Sequence, residues 1–172
     1  MTILAAVDGE SVPDRVCEVG ADLAEPREEE LVVVHVMDSE AFEKRRESGD
    51  SDATLLSERL APDIAYGGRR PRSSESRSQP ERYNIEDAQH DAERVARDVV
   101  EATLEDASAV TCVGRVGEPV EEILGEADRR EARYLVIGGR KRTPVGKAVF
   151  GSYTQSILLN ADRPVMTVMS DE

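Results

Sequence analysis

The sequence predicts an α/β protein: a single domain built as an open, twisted, parallel five-stranded sheet with helices on both faces. Short, continuous apolar runs alternate along the chain with segments whose apolar residues recur every three or four positions. A run that is apolar throughout is typical of a strand buried on both faces, and strand–helix–strand units form parallel sheets through right-handed crossovers. The length of 172 residues fits one domain with a sizeable core.

The first two apolar runs are interpreted as strands that end at acidic residues. Thr2 to Val7 predicts a central strand, and the turn signal Asp8-Gly9 ends it. Leu31 to Met37 is rich in β-branched residues and ends at Asp38. Both acids are therefore expected at the carboxyl edge of the sheet.

Capping residues predict where two helices begin. Ser11 is expected to cap the first helix, with Pro13 in its first turn. Asn84 is expected to cap a long helix that ends near Ala107, with Asp87 completing a capping box. The predicted inward faces are Val16, Gly20, Leu23 and Ala24 in the first helix, and Ala88, Ala92, Val95, Val99, Ala102 and Thr103 in the long one.

The second half of the chain repeats the alternation. Val110 to Val113 predicts a third strand, and residues 114–119 are expected to turn into a helix that begins near Pro119. Tyr134 to Ile137 predicts a fourth strand, Tyr153 to Leu159 a short helix, and Pro164 to Val168 a last strand suited to a sheet edge. Expected inward residues are Val120, Ile123, Leu124 and Ala127 in the first of these helices, and Ile157 and Leu158 in the second.

Residues 39–83 interrupt this pattern. Charges dominate the segment, Pro62 and Pro71 break it, and residues 67–78 contain few apolar side chains. We expect an insertion that is mobile, with a short helix over Asp52 to Leu60. A solvated loop is preferred over a nucleic-acid contact because no aromatic residue lies among the arginines and serines of residues 67–78.

The charge balance limits the partners. Acidic residues number 36 against 22 basic ones, for a net charge of −14, which disfavours a general nucleic-acid or membrane-surface binder. Lysine occurs only at positions 44, 141 and 147, and an acidic chain poor in lysine resembles proteins adapted to high intracellular salt. High salt screens the mutual repulsion of such a surface, so we hypothesise a halophilic protein.

The cysteines and histidines suggest neither a metal site nor a nucleophile. Cys17 falls in a predicted helix and Cys112 in a predicted strand, and both are interpreted as small core residues. His35 lies within a strand and His90 off the apolar stripe of its helix. The only apolar run near the start is too short for a signal peptide or membrane span, so a cytoplasmic protein is expected.

The loop between the fourth strand and the last helix is the candidate ligand site. It carries four cations within eight residues of an acidic chain, and glycines at 138, 139, 146 and 151 allow a ligand to approach the backbone. A helix that follows such a loop directs free N–H groups and its positive dipole end at the sheet edge, where anions bind. Composition alone weighs a phosphate site and a solvated basic loop about equally. The cations are Arg140, Lys141, Arg142 and Lys147.

These elements and motifs resemble the universal stress protein family. The resemblance rests on Ala6-Val7-Asp8, on His35-Val36-Met37-Asp38, on Gly117-Glu118-Pro119 and on the final loop, and covers the chain apart from the insertion. It implies the strand order 3-2-1-4-5. In the final loop, Gly138 and Gly151-Ser152 match the glycine motif of the nucleotide-binding members. The intermediate glycine of that motif, three residues after Gly138, is Lys141 here.

The resemblance implies an ATP site, with or without Mg²⁺, in which Asp8 contacts the ribose and the Val36 backbone contacts adenine. Gly138, Gly151 and Ser152 would hold ribose or phosphates, and the cations Arg140 and Lys141 are added as phosphate partners. Two alternatives stay open: Asp8 as a turn residue and Val36 as a core valine. Lys141 either contributes charge to a triphosphate or, if its position needs positive φ, redirects the loop and closes the pocket.

We expect a small stress-response protein that binds ATP and regulates rather than catalyses. No histidine, cysteine or acid falls between Tyr134 and Leu159 to serve as a catalytic base. The alternative is a dimeric scaffold of the same fold that binds no nucleotide and acts through protein contacts. By the same resemblance, two subunits would pair antiparallel through Pro164 to Val168.

Overall fold

The computed structural model describes residues 1–10, 14–48, 83–140 and 151–170. Its five strands form one sheet in the order β3-β2-β1-β4-β5, and every neighbouring pair is parallel. The predicted fold class and strand order are therefore confirmed. The strands are β1 (Thr2–Ala6), β2 (Glu30–Asp38), β3 (Val110–Gly117), β4 (Ala132–Arg140) and β5 (Val165–Ser170).

Five helices among the described residues cover the sheet on both faces. They are α1 (Arg15–Ala24), α2 (Ser39–Ser48), α3 (Ile85–Thr103), α4 (Pro119–Arg129) and α5 (Ser152–Asn160), with a short 3₁₀ turn at Glu25–Arg27. Helices α1 and α3 pack on one face, and α4 and α5 on the other. Successive residues of β1 point into different cores, since Ile3 and Ala5 join the first cluster and Leu4 the second. This explains why β1 is apolar without interruption.

The predicted helix starts are partly correct. The capping box of α3 is present: the Asn84 side chain accepts from the N–H groups of Glu86 and Asp87, and Asp87 accepts from the Asn84 N–H. Ser11 does not cap α1, however, because Asp14 does so, with its carboxylate accepting from the Val16 N–H at 2.7 Å. Ser11 and Pro13 lie outside the described residues.

Helix α3 is shorter than predicted, and its buried face differs slightly from the predicted one. It ends at Thr103, where Leu104 adopts an extended backbone, rather than near Ala107. Ala102 is exposed, while Ala96 and Val100 are buried in its place. The buried stripe is therefore offset from the predicted one, because a helical period of 3.6 residues locates a stripe only to within a neighbouring position.

Two strands are longer than predicted because their ladders continue through glycines. Strand β3 runs through residues 114–117, paired with β2 as far as Asp38 opposite Gly117. Strand β4 includes residues 138–140, paired with β5 as far as Arg140 opposite Ser170. The candidate loop therefore begins after Arg140. Glycine carries no apolar signal, so the sequence pattern ends before the hydrogen-bonded ladder does.

In α5, Ile157 is buried as predicted, but Leu158 is 38% exposed.

The first part of the predicted insertion is a helix. Helix α2 follows β2 directly, and the Asp38 carboxylate accepts from the Ala41 N–H at 2.7 Å at its start. It has no fully buried residue and gains ion pairs between its own turns, such as Lys44 with Glu40 at 2.8 Å. The sequence lacks an apolar stripe there, so the prediction missed it. The rest of the insertion, residues 49–82, lies outside the described residues.

A buried carboxylate surrounded by three arginines fastens α4 to β3. Glu126 is 1% exposed; its Oε2 accepts from Arg115 Nε at 2.9 Å and from Arg129 Nε at 2.9 Å, and its Oε1 from Arg130 Nε at 3.0 Å. Burial acts to raise the pKa of Glu126, but the hydrogen bonds from Arg130, Arg115 and Arg129 outweigh burial, and the pKa is lowered. We call these four residues the Glu126 cluster.

Replacing Glu126 by Gln should destabilise the protein by about 3 kcal/mol at pH 7, because the guanidinium groups lose the charge that compensates them. Because the folded-state pKa is lowered, this stabilisation is fully present above the ordinary value of 4.5 and is lost as pH falls through the folded pKa. Urea unfolding of both proteins between pH 7 and pH 3 measures the difference.

Glu122→Gln is the matched control, since Glu122 lies one turn earlier on α4 and its nearest guanidinium contact, to Arg129, is 3.8 Å away. We expect it to change stability by no more than about 0.5 kcal/mol. A difference between wild type and Glu126→Gln that stays constant down to pH 3 would contradict the assignment of this stability to the ionised carboxylate.

Candidate functional site

A cleft opens at the carboxyl edge of the sheet because the central strand is shorter than its neighbours. Strand β1 ends at Ala6, whereas β2 continues to Asp38 and β4 to Arg140. The space above Ala6 is about 740 Å³ and is bordered by β1, β2 and β4 and by the amino-terminal ends of α1, α4 and α5. This volume is in the range of small-molecule sites.

Most of the predicted site residues meet at this cleft. Its lining includes Asp8, Val36, Gly138, Gly151 and Ser152. Arg140 is the last residue of β4, two residues after Gly138, and Lys141 lies outside the described residues. The structure thus brings together residues from four separate parts of the chain, while their roles remain predictions.

The backbone of Val36 faces the cleft. The Val34 carbonyl accepts from the Val7 N–H at 3.0 Å, so residue 34 directs its backbone groups toward β1. Val36 points to the same side because backbone direction alternates along a strand. The β1–β2 ladder ends at Ala6 opposite Val34, so the Val36 N–H and carbonyl point into the space beyond β1. A planar ring with a donor and an acceptor on one edge can pair with such groups.

The motif glycines leave room at the opposite side of the cleft. Gly151 has a φ of −61° at the N-cap of α5, and a Cβ there would meet no described atom within 4 Å. Among the described atoms, a Cβ on Gly138 would meet only Val16 Cγ2, at an ordinary 3.5 Å. Thr154 donates to the Gly138 carbonyl at 2.9 Å and so ties α5 to β4. The backbone conformation does not demand glycine at either position. The missing side chains instead leave space in which a ligand can approach the backbone closely.

Asp8 is exposed and takes part in the turn that ends β1. Its carboxylate accepts from the Glu10 N–H at 2.8 Å. Gly9 adopts a φ of +79°, and a Cβ there would lie 2.4 Å from Val95 Cγ1, so the turn requires glycine. Locally, Asp8 therefore acts as a turn residue, which is one of the alternatives that the sequence left open. Asp8 also lines the cleft, where its carboxylate can reach a ligand.

Several cleft residues were not predicted as site residues. The lining also contains His35, Asp14, Asp38, Arg45 and Tyr153. His35 Nδ1 lies 3.0 Å from the Val7 carbonyl, so Nδ1 carries the proton because a carbonyl only accepts. The sequence could have indicated His35 and Asp38 as cleft residues, because both stand at the end of a predicted strand. It could not have indicated Arg45, because Arg45 lies on α2, which was not predicted.

Asp14 is the most buried acid of the cleft. It is 4% exposed, caps α1 through the Val16 N–H, and its own N–H donates to Thr103 Oγ1 at 2.9 Å. Burial raises the pKa of Asp14 against the opposing effect of its backbone hydrogen bonds to Val16 and Cys17.

The described residues contain no group of three or more His, Cys, Asp or Glu side chains arranged to hold a metal ion. No helix in the described part of the chain is long and apolar enough to cross a membrane.

Comparison with known proteins identifies the family. The family model for the universal stress protein family matches residues 1–67 and 68–169. The chain belongs to the universal stress protein family. A universal stress protein from Mycolicibacterium smegmatis is 45% identical over 51 residues, which is 30% of this chain and 39% of that relative.

Solved structures of the family share the fold of this universal stress protein. UspA from Lactobacillus plantarum is 21% identical, with 98% of this chain and 97% of that chain covered and a TM-score of 0.53. A universal stress protein solved in complex with cAMP is 16% identical, covering 99% of this chain and 98% of that one, with a TM-score of 0.52. The match to the family model confirms the predicted family, and these structures agree with the predicted fold.

In this universal stress protein, we expect Asp14→Asn to be at least as stable as wild type at pH 7, because Asn retains the cap and carries no buried charge. Asp14→Ala loses the cap and should cost about 1 kcal/mol. Since the folded-state pKa of Asp14 is raised above 3.8, ionisation opposes folding, and the advantage of Asn should grow as pH rises through that pKa.

Thermal unfolding of the two variants and the wild type from pH 3 to pH 7 measures this. An Asn variant as destabilised as the Ala variant would show that the ionised carboxylate, rather than its hydrogen bond, holds the start of α1.

Proposed function

We propose that this protein binds ATP, free or as its magnesium complex, in the carboxyl-edge cleft and acts as a small cytoplasmic regulator of the stress response. The observation that carries the proposal is the convergence of the Val36 backbone, Asp8 and the motif residues Gly138, Gly151 and Ser152 on one cleft of about 740 Å³. The cAMP complex of a family member with the same fold supports an adenine nucleotide as the class of ligand.

The proposed pose follows from the chemistry of each side of the cleft. Adenine pairs with the Val36 backbone and packs near the apolar side chains of Ile123 and Ile157, which also line the cleft. The ribose hydroxyls donate to the Asp8 carboxylate. The phosphates lie over the amino-terminal end of α5 at Ser152, where free N–H groups and the helix dipole favour anions.

Electrostatics makes the basic residues at the end of β4 and directly after it essential to this pose. The described lining contains Asp8, Glu10, Asp14 and Asp38 against two cations, Arg15 and Arg45. Such a surface repels a triphosphate. We propose that Arg140 and Lys141 supply the compensating charge, with Lys141 acting in place of the glycine of the family motif.

A regulatory role is proposed rather than a catalytic one. His35 lines the cleft, and its Nδ1–H donates to the Val7 carbonyl at the end of β1. We therefore assign His35 a structural role rather than a catalytic one. A regulator works through the difference in partner binding between its free and nucleotide-bound forms.

Calorimetric titration with MgATP tests nucleotide binding through paired substitutions at Gly151. Aspartate and asparagine are both good N-cap residues, so Gly151→Asp and Gly151→Asn should preserve or improve the start of α5. We expect Gly151→Asn to bind within about threefold of wild type. Gly151→Asp should bind at least about tenfold more weakly, or roughly 1.4 kcal/mol, because its charge repels the phosphates.

Equal affinity of the two variants would place the phosphates elsewhere. Absence of heat in the wild type, with no nucleotide-dependent rise in melting temperature at any salt concentration, would favour the alternative of a dimeric scaffold that binds no nucleotide. Continuous phosphate release under the same conditions would overturn the non-catalytic assignment.

We also propose a homodimer that pairs through β5. Among the described strands, β5 lies at a sheet edge and pairs only with β4, and Met166 on it is 40% exposed. The Leu135 N–H donates to the Pro164 carbonyl, so the backbone groups of residues 164, 166 and 168 face β4 and those of Val165 and Thr167 face outward. Two copies of this edge can pair about a twofold axis.

Thr167→Pro should therefore abolish the dimer, because it removes an outward N–H, whereas Thr167→Ser keeps that N–H and should associate like wild type. Light scattering across a KCl series measures both, and association should strengthen with salt as the −14 charge of each subunit is screened. A monomeric mass for the wild type at every salt and protein concentration would refute the dimer.

Melting curves measured across the same KCl series test the proposed adaptation to high salt. A protein that is more stable in low salt than in high salt would contradict it.

A further inference from the structure

The opposite edge of the sheet carries a second groove with an unusual charge pattern. Strand β3 is the other edge strand among the described residues, and a cavity of about 420 Å³ lies along its middle. Its lining combines β3 residues 112–115 with one side of α3 and with Arg130 at the end of α4. The cavity does not share a lining residue with the carboxyl-edge cleft.

The backbone of β3 points into this groove. In β2 the groups of Val34 face β1, so those of His35 face β3. His35 lies opposite Gly114, and in a parallel ladder it bonds to the neighbours of that residue, Val113 and Arg115. The N–H and carbonyl groups of Cys112 and Gly114 consequently point away from β2, into the cavity.

Helix α3 forms one wall of the groove, which carries the carboxylates of Glu86 and Glu93 beside Gln89 and His90. Glu93 also accepts from Arg97 Nη2 at 2.5 Å and stays 34% exposed. A Cβ on Gly114 would lie 1.9 Å from the Gln89 carbonyl oxygen and 2.3 Å from the Glu93 nitrogen, so the helix backbone touches the strand at this glycine. Contact this close places the side chains of Glu86, Gln89 and Glu93 directly beside the strand edge.

The other wall is basic and held in position. Arg115 and Arg130 line the groove, and both also donate to Glu126. Their side chains are 27% and 33% exposed, and the Glu126 cluster combines three guanidinium groups with one carboxylate, which leaves a net positive charge. Within the described part of the chain, an unpaired strand edge therefore lies between a wall with two carboxylates and a guanidinium wall.

We propose that this groove binds an extended peptide segment of a partner protein, which adds to β3 as a further strand and alternates basic with acidic side chains. Main-chain hydrogen bonds to Cys112 and Gly114 provide affinity, as in other cases of strand addition. Side chains of an added strand point alternately to the two faces, so its basic residues meet Glu86 and Glu93 and its acidic residues meet Arg115 and Arg130. Charge alternation thus sets both the register and the choice of partner.

The probe is a fluorescein-labelled hexapeptide of alternating Lys and Glu, compared with a peptide of the same composition in which three Lys precede three Glu. Anisotropy with the full-length protein should show the alternating peptide binding at least about tenfold more tightly. In amide-resolved NMR spectra, its addition should shift the Cys112 and Gly114 resonances and slow their hydrogen exchange.

Two variants separate strand addition from simple charge attraction. Cys112→Pro removes an outward N–H at a position where an edge strand tolerates proline, and should weaken binding at least about tenfold. Cys112→Ser keeps the N–H and should bind like wild type. If Cys112→Pro does not fold, the amide shifts and exchange rates of the wild type decide the question alone.

Equal binding of the two peptides, or binding without a response from the Cys112 and Gly114 amides, would overturn the proposal. Protection of these amides in the absence of peptide, together with a doubled mass, would assign the edge to a second copy of the chain instead. Absence of binding by both peptides at low and high salt would also reject it.

Discussion

The early end of β1 is the constraint on which the cleft depends. The ladder stops at Ala6, where β2 and β4 both continue, and a central strand that stops before its neighbours leaves a gap lined by their backbones. Gly9 permits the sharp turn with its positive φ, and His35 satisfies the Val7 carbonyl at the end of the ladder. Both backbone groups of Val7 thereby have partners where the strand ends, since its N–H donates to the Val34 carbonyl and its carbonyl accepts from His35.

Packing around this gap explains how distant parts of the chain reach the same site. Helix α4 contributes Ile123 to the cleft, and the Glu126 cluster fastens the next turn of that helix to β3. Helix α5 is tied to β4 by the bond from Thr154 to the Gly138 carbonyl, and Gly151 and Ser152 at its start line the cleft. The two walls formed by α4 and α5 are therefore each held by a polar contact in addition to the apolar core.

Charge is distributed unevenly over this acidic protein. Acids from the ends of β1 and β2 and from the start of α1 meet at the cleft, while the residues that follow β4 are basic. The buried carboxylate of Glu126 is paired with three guanidinium groups, because an isolated charge in the core is far more costly than an exposed one. Exposed charges are left to solvent, where their mutual repulsion depends on the salt concentration.

The sequence by itself determined the fold class, because continuous apolar runs and helical periodicity report burial that is local in the chain. The family and the strand order followed from the resemblance of its motifs to the universal stress protein family. It also named residues that meet at the cleft, among them Asp8, Val36 and Gly151. It missed α2, which has no apolar stripe and whose partly buried Ala41 and Phe42 pack against residues that include Ala88 and Ala92. It also ended β3 and β4 too early, because glycines within a ladder carry no apolar signal.

Only the tertiary structure decided that Asp14 caps α1, that Glu126 is buried among arginines, and that His35 stands at the cleft. Each of these depends on which residues from remote segments come within hydrogen-bonding distance. A charged residue on a helix looks the same in sequence whether it faces water or three guanidinium groups, since only the packed neighbours determine the cost and the compensation of burying it.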